Sequence, residues 1–178
     1  NNGDLGVDAI NKEMQIQFNP PAVDKPEVKT SPTTLLRLGD KVTQTVNNYD
    51  LQVFNGDVGR IIKIEIIQDE VEITVDFMNR TVVYNREYST ELSLAYAITV
   101  HKSQGSEFPA IVMPFHSSLN ILLNRNTVYT GLTRAKKIAV CVGTIKELDE
   151  AIGKTENTVR NSQIKFKLQL AIPEIAVS

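Results

Sequence analysis

Apolar residues open the chain at Val7, Ile10, Met14 and Phe18, spacings of three and four that put them on one face of a helix. Asp8 lies near its start, and Asn19-Pro20-Pro21 ends it, because proline cannot continue the hydrogen-bond ladder. Four of the seven prolines fall between residues 19 and 34, so that stretch reads as a linker. From Leu38 to Tyr88 the period drops to two. Lys41 to Val46, Gly59 to Ile64, Val71 to Phe77 and Thr81 to Tyr84 read as strands, with turns at Asp69-Glu70 and Asn79-Arg80 and a hairpin signal at Asn55-Gly56. Such short antiparallel strands in about fifty residues predict a small closed barrel. The many acids in this stretch (Glu65, Asp69, Glu70, Glu72, Asp76) read as a solvated surface.

Beyond Leu92 the pattern changes again. Ala110 to Met113 and Ile138 to Val142 read as short buried strands. Leu119 to Leu123, Thr127 to Ala135 and Ile145 to Ile152 read as helices, the last capped by Gly153. Strands alternating with helices predict a parallel sheet. A final helix-like stretch covers Ser162 to Leu170.

A chain of 178 residues with 42% hydrophobic content can build one core of ordinary size. Its lone cysteine, Cys141, lies inside the second apolar run and reads as a small buried hydrophobe. No disulfide framework can form within one chain, which suits the cytoplasm, and no apolar stretch approaches the roughly 20 residues of a membrane span. There is no signal peptide and no initiator Met, so the start reads as a cut inside a longer protein. The net charge of -2 argues against a wholly basic nucleic-acid coat. Between residues 99 and 146, however, Lys102, Arg125, Arg134, Lys136, Lys137 and Lys146 face a single acid, Glu107. Such a local excess suits phosphates, whether of a nucleotide or of a nucleic-acid backbone, and equally suits a solvated helix face.

Two segments concentrate the candidate chemistry. In Thr99-Val100-His101-Lys102-Ser103-Gln104-Gly105-Ser106-Glu107, polar groups surround a glycine that lets backbone approach a ligand. Thr99, His101 and Ser103 can donate to phosphate oxygens without reading bases. Glu107 suits a ribose hydroxyl or a neighbouring lysine. In Tyr129-Thr130-Gly131-Leu132-Thr133-Arg134-Ala135-Lys136, Arg134 follows a helical run and precedes a strand. A guanidinium there can spread over phosphate oxygens and stabilise transition-state charge, or can simply sit at a helix end favoured by the dipole. His116 has no motif around it. Two histidines and one cysteine make no metal-ligand spacing, and no carboxylate cluster suited to metal-dependent cleavage is visible.

Together the two segments resemble motifs V and VI of the RecD/TraA branch of superfamily 1 DNA helicases, often described as exonuclease V alpha subunits. Upstream, Gly39-Asp40-Lys41-Val42, Asn47-Asn48-Tyr49-Asp50 and Phe54-Asn55-Gly56-Asp57-Val58-Gly59 resemble the SH3-like barrel inserted in the second motor domain of these helicases. Gly6 to Asn11 and Asn19-Pro20-Pro21 resemble the segment before it. The resemblance implies an α/β fold: a RecA-like second motor domain with an inserted small SH3-like β-barrel. It divides the chain into a helix and linker (1–34), the barrel (35–90) and the C-terminal part of the motor domain (91–178). It implies that Arg134 is an arginine finger reaching ATP, and that Gly105 and Glu107 line the nucleotide side. It implies further that Thr99, His101, Lys102 and Ser103, with Asn48 and Tyr49 of the barrel, face single-stranded DNA. No G-x-x-x-x-G-K-[ST] string occurs, so ATP and Mg²⁺ are expected to be held mainly by a first motor domain outside this chain, and the chain alone is expected to be inactive. The implied partners are single-stranded DNA, that first motor domain and other subunits of a nuclease–helicase complex, in DNA recombination and repair. A different class of reading remains: a non-enzymatic nucleic-acid or protein-binding module built on the barrel.

Overall fold

A computed structural model describes residues 5–68, 70–78, 80–119 and 123–154. The chain opens with helix α1 (Val7–Phe18), at the expected place. A two-stranded antiparallel pair follows, β1 (Glu27–Lys29) with β2 (Leu35–Arg37), inside and just after the stretch expected to be a linker. The prolines there flank β1 and shape its turn without entering the ladder, which is where proline is tolerated.

Five strands then form one antiparallel sheet. They are β3 (Lys41–Gln44), β4 (Val58–Ile67), β5 (Glu70–Asp76), β6 (Thr81–Tyr84) and β7 (Leu92–Leu94), in the order β6-β5-β4-β3-β7. Among the described residues no ladder joins β6 to β7, and the five strands of the expected barrel share one core. β7 extends this sheet past the expected boundary at residue 90. Inward residues alternate along β5 and β6, while β3 is buried at three successive positions from Val42 to Gln44. Val42, Ile61, Ile73, Val75 and Tyr84 lose all but 1% or less of their accessible surface. Asn55-Gly56 is not a two-residue hairpin turn: it lies in the long connection from β3 to β4, which carries an isolated bridge between Asn48 and Val53. Inside the sheet, Tyr84 Oη donates to Gln44 Oε1 at 3.0 Å, and Gln44 Nε2 donates to Glu91 at 2.6 Å. Burial, then the charge of Glu91, pushes the Tyr84 phenol well above its ordinary range.

Helix α1 seats differently from its apolar pattern. Its buried residues are Asn11 and Gln15, while Phe18 is 70% exposed and stacks on Tyr96 at 6.4 Å between ring centroids. The surface it meets is polar. The fully buried Asp40 carboxylate accepts from Gln15 Nε2 (2.5 Å), Asn19 Nδ2 (2.7 Å), the Arg37 backbone N–H (2.7 Å) and Tyr96 Oη (2.9 Å). Asn11 pairs with both backbone groups of Ala97. A buried carboxylate is tolerable when its lone pairs are filled in this way. Arg37, buried beside it, donates to the Asn19 carbonyl and pairs with Glu27 at 2.9 Å. Burial, then the hydrogen bond to Asp40, pushes Tyr96 up to about 12.

The last described part is α/β. β8 (Phe108–Pro114) and β9 (Ala135–Val142) run parallel, with Phe108 paired to Ala135 and Pro114 to Val142. Between them lies α2 (Arg125–Leu132), and after them α3 (Ile145–Gly153). α2 is capped by the Asn124 side chain and gives way to strand at Ala135, so the expected helix over 127–135 is shifted towards the N-terminus. Ser117–Leu119 is a single 3₁₀ turn, and the rest of the helix expected at 119–123 falls partly on residues outside those described. The stretch from Ser162 to Leu170 also lies outside the described residues. α3 begins with a reciprocal capping box between Thr144 and Glu147, whose hydrogen bonds hold the Glu147 carboxyl below its ordinary range. Gly153 is the last residue of α3, and Lys154 takes the cap position expected for it.

The buried strands expected here are instead open. Ile138 is 57% exposed, Val112 and Val142 are similarly open, and Cys141 is exposed rather than a core hydrophobe. Parallel strands are covered on both faces only within a wider sheet flanked by helices. The described residues supply two strands, and Met113, Phe115, Leu123, Val128 and Ala151 make a small core against α2 and α3.

Candidate nucleotide and nucleic-acid interface

The parallel register decides where the two polar segments sit. Because Phe108 pairs with Ala135, the turn before β8 and the helix end before β9 share the amino-terminal edge of one sheet. The Phe108 backbone N–H donates to the Arg134 carbonyl at 2.8 Å, and Arg134 Nη1 donates to the Ser106 carbonyl at 3.4 Å. Segments far apart in sequence are thereby brought into direct contact.

The first segment is a helical turn too short to become a helix. Thr99 Oγ1 accepts from the Lys102 N–H at 3.2 Å in the manner of an N-cap, and the Ser103 N–H reaches the Thr99 carbonyl at 3.1 Å. Gly105, at φ +82°, ends the turn. Nothing lies within 4 Å of where a Gly105 side chain would project, so backbone there is open to a ligand. His101 and Lys102 are exposed. Ser103 is not: it is buried, and its hydroxyl donates to the Val100 carbonyl at 2.6 Å. Ser103 thus shapes the turn from its inner side, apart from the exposed His101 and Lys102. Glu107 is exposed and pairs with Lys136 at 3.0 Å, the second of the two roles open to it.

Arg134 follows the last turn of α2. Its Nε donates to the Thr130 carbonyl at 3.2 Å, and its Nη2 reaches Thr133 Oγ1 at 3.4 Å. It thus caps the carbonyl end of α2, where a cation is favoured. These bonds and the one to Ser106 use three of the five guanidinium donors and are long. Donors remain for an anion beside the open backbone of Gly105.

In the barrel, Asn48 is buried. Its Nδ2 donates to Glu91 at 3.0 Å and its Oδ1 accepts from the Leu51 N–H at 2.9 Å. These two bonds order the loop that carries Tyr49. Tyr49 beside it is 75% exposed and meets Phe54 edge-on at 6.1 Å. His116 bonds Ser118 Oγ at 2.9 Å near the start of α3 and takes no part in the site. Among the described residues, no three His, Cys, Asp or Glu side chains gather to hold a metal, and no helix is long and apolar enough to cross a membrane.

Sequence reasoning missed Asn11, Gln15, Asp40 and Tyr96. The signal was present: Asn11, Gln15 and Asn19 recur every four residues, a polar stripe on one helix face.

Comparison with known proteins adds the following. Residues 10–77 match the ATP-dependent RecD-like DNA helicase SH3 domain, and residues 94–142 match the UvrD-like helicase C-terminal domain. The ATP-dependent RecD2 DNA helicase of Deinococcus radiodurans is 38% identical over 75% of this chain and 18% of that protein. The RecBCD enzyme subunit RecD of Haemophilus influenzae is 33% identical over 76% of this chain and 19% of that subunit. The chain thus spans about a fifth of the length of these relatives. In fold, it superposes on a Bacteroides Pif1 helicase crystallised with ADP-AlF3 and ssDNA at a TM-score of 0.58 and 20% identity, covering 93% of this chain and 42% of that one. A Pif1 helicase studied at forked dsDNA gives a TM-score of 0.62 at 22% identity, over 92% of this chain and 42% of that one.

Proposed function

The chain belongs to the RecD-like helicases, of which it carries the SH3-like barrel and C-terminal motor region, and from that premise we propose that it supplies one wall of an ATP-hydrolysing cleft and part of a single-stranded DNA track. The observation carrying this reading is the contact of Arg134 with Ser106, which puts a guanidinium with spare donors beside the exposed turn.

In this reading Arg134 stabilises the charge that develops on the transferring phosphoryl group. Gly105 presents open backbone to the nucleotide, and Glu107, released from Lys136, takes a ribose hydroxyl. Thr99, His101 and Lys102 hold the DNA backbone, a contact that positions without reading sequence. ATP and Mg²⁺ are held mainly by a first motor domain outside this chain. Cleft closure around ATP pulls on Arg134, and through Ser106 on the turn, so that hydrolysis moves the grip on the strand. The whole protein works as a DNA-unwinding enzyme of recombination and repair, in the cytoplasm, alone or with nuclease subunits.

A second reading rests on Tyr49 and Phe54, an exposed aromatic pair on the barrel that suits stacking on an unpaired base. It makes the barrel the working part and the motor region its scaffold.

DNA-stimulated ATP turnover of the full-length protein tests the choice. Arg134→Ala lowers turnover by about 100-fold or more with nucleotide binding kept, since fingers of this kind contribute roughly 10³ to 10⁵. Unchanged turnover, with binding lost instead in Tyr49→Ala, supports the module reading.

A further inference from the structure

Asn11 clasps Ala97 as a neighbouring strand would. Its Nδ2 donates to the Ala97 carbonyl at 2.9 Å and its Oδ1 accepts from the Ala97 N–H at 2.8 Å. Upstream, the Ala95 N–H is tied to the Lys41 carbonyl of the barrel at 2.8 Å. Only Ile98 separates Ala97 from Thr99, where the bonds of the turn begin. Asn11 is therefore the last hydrogen-bonded anchor before the turn among the described residues.

The same helix is pinned at its other end to the barrel. Gln15 Nε2 reaches both Asp40 and the Leu35 carbonyl (3.1 Å), and Asn19 Nδ2 reaches both Asp40 and the Leu38 carbonyl (3.0 Å). Tyr96, the residue before Ala97, closes the circuit on the same carboxylate. With Asn11, Gln15 and Asn19 four residues apart, α1 is a strut whose polar edge joins the barrel to the root of the exposed turn.

We propose that Asn11 and Asp40 are positioning residues for the strand grip: through α1 they set the place of Thr99, His101 and Lys102 relative to the barrel. This rests on the reading that the turn meets single-stranded DNA. A tight, fully satisfied polar cluster suits the task, because it fixes one geometry where an apolar contact would tolerate sliding.

The test uses the full-length protein, fluorescein-labelled oligo-dT and three variants, Asn11→Leu, Tyr96→Phe and His101→Ala. In Asn11→Leu the oligo-dT concentration giving half-maximal ATP turnover rises about tenfold, while maximal turnover stays within about twofold. Tyr96→Phe, which removes one hydroxyl and keeps the ring, shifts the same quantity in the same direction by about two- to threefold. Hydrogen exchange quickens at residues 99–106 and stays unchanged in β4 and β5. Three results overturn the proposal. Weakening in His101→Ala alone leaves the turn as the DNA contact and removes the positioning role. Loss of β4 and β5 protection in both Asn11→Leu and Tyr96→Phe makes the cluster a folding element only. Wild-type behaviour of His101→Ala removes the reading of the turn, and the proposal falls with it.

Discussion

Arg134 and Ser106, 28 residues apart in the chain, meet through a guanidinium–carbonyl hydrogen bond of 3.4 Å at the head of two parallel strands. A contact this long holds the arginine without spending it, since a charge-assisted bond of full strength runs about 2.7–2.9 Å. The helix-end carbonyl of Thr130 shares the load at 3.2 Å. The side chain is thus held by several long bonds, an arrangement that suits the proposed exchange of a partner for phosphate.

Two left-handed glycines at opposite ends of the parallel pair respond differently to a side chain: Gly105 lies before β8 and Gly143 follows β9. Gly105, at φ +82°, has open space around it, so Gly105→Ala costs only the left-handed backbone penalty of about 1–2 kcal/mol. Gly143, at φ +152°, would drive a Cβ into the Phe115 carbonyl and side chain. Gly143→Ala adds a collision with backbone and costs about 3 kcal/mol or more. Thermal denaturation of the two variants separates them, and equal melting temperatures would count against the geometry.

Asp40 fills the needs of several buried donors at once, so truncating it strands all of them. Each buried unsatisfied donor costs about 1–3 kcal/mol. Asp40→Ala therefore destabilises the chain by about 3 kcal/mol or more in urea unfolding. Asp40→Asn, which turns an N–H towards donors on one side only, falls between it and wild type. A neutral Asp40→Ala would mean that the cluster is solvated.

Tyr96 links stability to pH on the alkaline side. Its folded-state value, pushed up to about 12 from an ordinary 10.0, means that the unfolded chain loses this proton first. The contribution is full below pH 10 and is lost as pH rises from there towards 12. Tyr96→Phe removes part of that alkaline decline and changes nothing in its slope near neutrality. Identical declines in both proteins would place the Tyr96 hydroxyl in water.

Much of this was legible in residue order. The strand β6 and the helix α1 lie where the pattern placed them, because strict alternation and a proline stop leave little choice. Arg134 stood out as a cation between a helical run and a strand. Its link to Ser106 did not, because it depends on the register of Phe108 against Ala135, which no local spacing encodes. Burial was the weaker inference: Ile138 to Val142 were read as an enclosed strand and are open, and the apolar spacing of Val7, Ile10, Met14 and Phe18 gave the helix but not the polar face it buries. What surrounds an apolar run is set by distant segments, and here α1 meets a carboxylate while the side chains of β9 are left open among the described residues. The bonds of Ser103 to Val100 and of Asn48 to Glu91 and Leu51 were likewise not legible, because they depend on the path of the backbone and not on residue type.

The most direct test of the central claim is the affinity of the full-length protein for ADP–aluminium fluoride, a mimic of the transferring phosphoryl group, measured beside its affinity for ADP in wild type and Arg134→Ala. An interaction made only in the transition state shows itself in that difference. The account predicts that Arg134→Ala weakens the mimic by about 100-fold or more and ADP by less than about threefold. Equal weakening of both, or of neither, would contradict it.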